Sequence, residues 1–136
     1  MNAAAIAYAR LCLDTPFRHQ GRLPGVALDC AGLVLAVARA VGVEAVDFPG
    51  YGRQPFQGQL EAALAAQPGL EPVALADRQP GDVLLMRIAR DPQHLAILGE
   101  GTLIHAWADA GQVCEHRLDE RWLARIVAVY RFKVAP

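Results

Sequence analysis

The chain changes character once, at Pro80-Gly81. Upstream, apolar residues recur at helical spacing. Downstream, short β-rich runs at 82 to 88, 94 to 99, 102 to 107, 112 to 117 and 126 to 133 are separated by turn residues. Helices first and consecutive strands afterwards specify an α+β domain, with N-terminal helices packed on an antiparallel sheet of roughly five strands. A parallel sheet would need strands and helices to alternate. A chain of 136 residues has room for one hydrophobic core, so residues 1–136 are read as a single domain.

Asn2 caps a first helix over about 2 to 13, which must stop before Pro16 restricts Thr15. Residues 14 to 28 carry Pro16, Gly21, Pro24 and Gly25 and read as a turn-rich loop delivering the chain to Asp29. Asp29 then caps a second helix, with Cys30, Leu33, Val34, Val37 and Val41 on its core-facing stripe and Gly42 closing it. Gly32, inside that helix, costs roughly 0.5–1 kcal/mol relative to alanine, so something must approach the backbone closely there. Residues 47 to 58 read as irregular, and 59 to 66 as a short helix ended by Pro68-Gly69.

A net charge of -1 and the absence of a basic stripe exclude the electrostatic footprint of a nucleic-acid binder. The longest apolar run, 33 to 43, is interrupted by Arg39 and falls short of the roughly 20 residues that cross a bilayer, so no membrane partner is expected. The N-terminus lacks the positive start and unbroken apolar stretch of a secretory signal. Cys12, Cys30 and Cys114 are too few, and odd in number, for a disulfide framework, and read as free thiols.

A cysteine on an apolar helical stripe is, taken alone, more often a small buried hydrophobe than a nucleophile. Cys30, however, sits in the first turn of its helix, where unpaired amides and the positive dipole end favour thiolate. The segments His94-Leu-Ala-Ile-Leu-Gly and Thr-Leu-Ile-His105-Ala-Trp flank Glu100-Gly101, a two-residue hairpin turn. If Gly99 pairs with Thr102, Ala96 opposes His105, and His94 and His105 lie diagonally on one face with Cβ atoms roughly 7 Å apart. A three-residue loop would put them on opposite faces. In the first register one imidazole can hold the other, giving a nucleophile, a base and an orienting group suited to acyl transfer.

His116, between Glu115 and Arg117, reads as a solvent-facing residue, and it joins Cys12 and Cys114 as structural. His19 either lines a cleft ahead of the nucleophile or is simply exposed. Asp82 reads as a turn residue that starts a strand. Zinc held by Cys30, His94 and His105 is disfavoured, because zinc sites commonly draw on ligand pairs close in sequence.

Asp29-Cys30-Ala31-Gly32-Leu33-Val34, Pro80-Gly81-Asp82-Val83, His94-Leu-Ala-Ile and Ile104-His105-Ala106, in that order, resemble the NlpC/P60 cysteine peptidases, the short phage-type members in particular. The resemblance implies a minimal papain-like fold, with Cys30 as nucleophile, His94 as base and His105 orienting it. It also implies cleavage of peptidoglycan stem peptides, often between D-glutamate and a diamino acid, without metal or organic cofactor. Two departures stand out: Phe17 replaces the family's usual tyrosine and Ala31 its usual serine. Asp29 remains as a partner for a substrate amine, with Phe17 and His19 as further substrate-binding residues, His19 standing at the family's usual tryptophan. Delivery by a phage or phage-like particle, with tail proteins as partners, would account for a wall enzyme without an export signal. The competing reading is a tail-assembly or docking protein in which catalysis is silent.

Overall fold

The computed structural model describes residues 1–48, 51, 59–89 and 92–134. Helix α1 (Ala3–Leu11) starts where expected, Asn2 accepting from the Ala5 amide at 3.0 Å. Helix α2 (Cys30–Ala40) starts on Asp29, whose carboxylate accepts from the Gly32 amide at 2.8 Å. Gly42, at φ 78°, carries the chain out in the left-handed region that only glycine adopts freely. The third helix, α3 (Gln59–Ala65), buries Leu60 and Leu64. Of the irregular stretch 47 to 58, positions 49, 50 and 52–58 lie outside the described residues.

The loop ahead of α2 contains a small hairpin, β1 (Arg22–Leu23) with β2 (Ala27–Leu28). It packs on α2 so tightly that a Cβ on Gly32 would run into the Gly21 carbonyl oxygen. That is the close approach the glycine implied.

The remaining strands, β3 (Leu70–Val73), β4 (Val83–Arg87), β5 (Pro92–Leu98), β6 (Thr102–Trp107), β7 (Gln112–Arg117) and β8 (Ile126–Phe132), form one sheet in the order β3-β8-β4-β5-β6-β7. All its pairings are antiparallel. The sheet therefore has six strands where about five were expected. The extra one, β3, is a four-residue edge strand containing Pro72, a composition that hides a strand from sequence yet is tolerated where one side needs no ladder. A short helix, α4 (Glu120–Leu123), capped by Asp119, was also unexpected.

Both sheet faces are covered, which explains the unbroken apolar run of β4. Val83 and Leu85 join Leu95, Ile97, Ile104 and Val113 beneath α1 and α2, while Leu84 and Met86 join Ala96, Leu103 and Val129 on the opposite face, against Trp122 and Ile126. The β5–β6 register is the one that a two-residue turn dictates, with Ile97 opposite Ile104, Leu98 opposite Leu103, the Gly99 amide bonding the Thr102 carbonyl at 2.8 Å, and Gly101 at φ 75°. Asp82 does more than open a strand. It is buried, accepts from the Gln79 amide and pairs with Arg131 at 2.9 Å.

Candidate active site

Cys30 and His94 line one cleft, together with Phe17, Gln93, Ala106, Trp107 and Asp109. The helix start and the strand meet there directly: the amides of Leu95, next to His94, and of Ala31 are near enough to favour the charged form of the Cys30 sulfur. Among the described residues no hydrogen bond joins the sulfur to the His94 ring itself. Burial is the largest influence on the thiol and, followed by the Asp29 charge, pushes it up to about 12 against the pull of these amides and Arg22. Desolvation thus works against the thiolate that the helix start favours.

His94 and His105 are both buried, and their rings bond through His94 Nε2 and His105 Nδ1 at 2.6 Å. The chain of imidazoles does not end there. His105 Nε2 meets His116 Nε2 at 2.8 Å, and His116 Nδ1 lies 3.0 Å from the Arg117 carbonyl oxygen. His116, expected to face solvent, is a third link, because β7 pairs Leu103 with His116 and His105 with Cys114, putting their side chains on the face that carries His105. Periodicity alone could have suggested this, since His105 and His116 are spaced for facing strands of a second hairpin. The Glu115 and Arg117 neighbours masked it.

If each ring carries one proton, the proton positions follow from the far end. A carbonyl only accepts, so His116 carries its proton on Nδ1 and accepts at Nε2. His105 then donates from Nε2 and accepts at Nδ1, His94 donates from Nε2, and His94 Nδ1 is left as the proton acceptor. Trp107 stacks on His105 at 5.5 Å, and Trp122, placed by α4, meets the His105 ring edge-on at 5.2 Å and the tilted His116 ring at 4.9 Å. These indoles pack against the His105 ring, which is fully buried.

Burial, with Arg125 and His116 nearby, lowers His94 to about 3, and burial with the neighbouring rings lowers His105 further. A folded-state value below the ordinary 6.5 means that both rings favour the fold fully above pH 6.5 and lose that contribution as pH falls toward 3. Stability should drop by up to about 1.4 kcal/mol per pH unit for each ring over that window. Denaturant unfolding at pH 7 and pH 5 checks this, and His105→Gln, which cannot titrate, should flatten the dependence. An unchanged slope in that variant would refute the assignment.

Asp29 is fully engaged. Its carboxylate accepts from the Gly32 amide, the Gln20 amide at 2.9 Å, Arg22 Nη1 at 2.9 Å and the Tyr51 hydroxyl. A substrate amine reaches Asp29 only by displacing one of these donors. Phe17 is at the cleft, whereas His19 packs edge-on against Tyr51 at 5.6 Å, beside the Asp29–Arg22 cluster. Cys12 is buried in the core. Among the described residues, the group spaced to hold a metal is His105, Cys114 and His116, and it does not include Cys30.

The NlpC/P60 family pattern matches residues 14–131. This chain belongs to the NlpC/P60 family. It is 34% identical over 104 residues to a probable endopeptidase of Mycobacterium tuberculosis, a match that covers 76% of this chain and 23% of that protein. The NlpC/P60 domain of the peptidoglycan hydrolase SagA superposes with a TM-score of 0.62 at 25% identity, covering 95% of this chain and 97% of that one. The peptidoglycan hydrolase RipB of Mycobacterium tuberculosis has the same fold, with a TM-score of 0.64 at 22% identity over 98% of this chain and 64% of its own. The family pattern takes in the cleft residues and all three linked histidines. No helix among the described residues is long and apolar enough to cross a membrane.

Proposed function

We propose that this NlpC/P60 domain is a cysteine endopeptidase acting on peptidoglycan stem peptides, with Cys30 as nucleophile, His94 as base and His105 orienting that base. The observation that carries the reading is the anchored imidazole chain, which leaves one unprotonated nitrogen on His94, a residue lining the same cleft as Cys30. On substrate entry His94 Nδ1 takes the thiol proton as sulfur attacks the scissile carbonyl, and the imidazolium returns it to the leaving amine. Water then releases the acyl group from sulfur. The Cys30 backbone N–H, in the first turn of α2 and so without an intrahelical acceptor, is a donor for the developing oxyanion.

The finer assignments, a D-glutamyl–diamino acid bond and delivery by a phage-like particle, rest on resemblance alone. Mass analysis of peptides released from purified peptidoglycan identifies the bond. Release by Cys30→Ala at the wild-type rate would end the proposal. The raised thiol favours one rival, a silent domain retained for docking. A peptide substrate analogue should speed alkylation of Cys30 in an enzyme and leave it unchanged in a silent domain.

His116 acts through His105 and is a positioning residue. His116→Ala should lower kcat on the order of 10- to 100-fold with KM little changed, because the tautomer chain loses its anchor. His116→Gln, whose side-chain oxygen can accept from His105 Nε2, should recover most of the loss. Equal loss in both variants would mean that the third ring is only packing.

A further inference from the structure

We infer that His105, Cys114 and His116 form a binding site for a soft divalent transition-metal ion of the zinc type, and that filling it disables His94. The second half of this statement rests on the peptidase reading; the first half does not.

Each of the three residues offers one ligand atom, a ring nitrogen of His105 and of His116 and the sulfur of Cys114, and these lie within 4.8 Å of one another. Two imidazoles and a thiolate form a donor set of the softness that zinc and cobalt(II) take, with a fourth position left for water. His116 is already in the required tautomer, since its Nδ1 proton is held by the Arg117 carbonyl and its Nε2 lone pair is exposed to His105. Cys114 sits directly across the ladder from His105, and His116 is two residues further along the same strand and so on the same face. Ligands at the usual metal distances stand about 3.3 to 3.6 Å apart in a tetrahedron. The two Nε2 atoms at 2.8 Å must therefore separate slightly and turn toward the sulfur. His116 can do so, because β7 is the edge strand of the sheet and the side chain is only partly buried.

Coordination rearranges the protons of the whole chain. The metal replaces the proton on His105 Nε2 and the proton of the Cys114 thiol, both of which leave to solvent. Neutral His105 must then carry its proton on Nδ1, taken from His94 Nε2 across their hydrogen bond, and His94 regains one from the cleft at Nδ1. One proton is released in total, and the nitrogen that should take the Cys30 proton is now occupied. The site is built into the far end of the same hydrogen-bonded chain that prepares the base.

Titrating the metal-free full chain with cobalt(II) and following the thiolate-to-cobalt charge-transfer absorption tests the site without turnover. In a Cys30→Ser background one equivalent should bind and show the band. Adding Cys114→Ser, or Cys114→Ala should the serine variant misfold, should abolish the band and weaken binding at least about tenfold, since losing a ligand costs no less than losing an orienting partner. A band that survives without Cys114, or disappears without Cys30, overturns the site. For the switch, zinc should inhibit peptidoglycan cleavage by the wild type, reversibly on chelation, and Cys114→Ser should keep basal activity while needing at least tenfold more zinc. Equal inhibition of both overturns the switch. A chain that cleaves nothing yet shows the band supports the metal site and refutes the peptidase reading.

Discussion

Cys30→Ser is expected to lower kcat/KM on peptidoglycan fragments by at least about 10⁴-fold while leaving the unfolding midpoint nearly in place. The fold should tolerate the change because a hydroxyl is smaller than the thiol and keeps the Leu95 and Ala31 amides supplied with an acceptor. The activity should not. A serine hydroxyl is a far weaker acid than a thiol, and among the described residues the imidazole in the cleft is backed by two further rings rather than by a carboxylate. His94→Ala should reduce the rate comparably, and the double variant should lose little more, as members of one chemical unit are not additive. Steady-state kinetics on a defined stem peptide, with circular dichroism to verify folding, checks all three. A Cys30→Ser rate within tenfold of wild type would remove sulfur from the mechanism.

The parts of the site legible in sequence were those set by short-range rules. Asp29 as a cap fixes where α2 starts and so places Cys30. Glu100-Gly101 fixes a two-residue turn, and counting from it brings His94 and His105 together. What could not be read depended on pairing partners distant in sequence. His116 sits in a run whose neighbours Glu115 and Arg117 point to the other face, so its polar surroundings on paper differ from its surroundings in space, where Trp122 and His105 enclose it. Likewise β3 is recognisable only because β8 crosses back to pair with it, setting Leu70 against Phe132. Asp29 shows the limit in the other direction. Its cap role was evident, but its further partners, Arg22 on the capping oxygen and Tyr51 on the other, come from a loop and from position 51, 22 residues further on.

Gly32→Ala should destabilise the domain by about 3 kcal/mol or more, although on propensity alone the same change would stabilise a helix by roughly 0.5–1 kcal/mol. The added methyl has no room: it would overlap the Gly21 carbonyl oxygen and crowd the Arg22 guanidinium. Relief by movement is blocked on both sides. The Gly21 carbonyl is held by Arg22 Nη1 at 3.0 Å, and the Gly32 amide is held at 2.8 Å by Asp29, one residue from Cys30. Either the β1–β2 hairpin must lift away or the first turn of α2 must shift, and the second route displaces the Cys30 sulfur from the Leu95 amide and from the His94 cleft. Residual folded protein should therefore also lose activity, on the order of 10- to 100-fold. Gly25→Ala is the control. That glycine has φ 82° but open space around its Cβ position, so only the backbone strain of about 1–2 kcal/mol should appear, with kcat unchanged. Denaturant unfolding of both variants separates the two effects. A Gly32→Ala protein as stable as the wild type would show that the hairpin does not press on the helix start, and the positioning of Cys30 would need another cause.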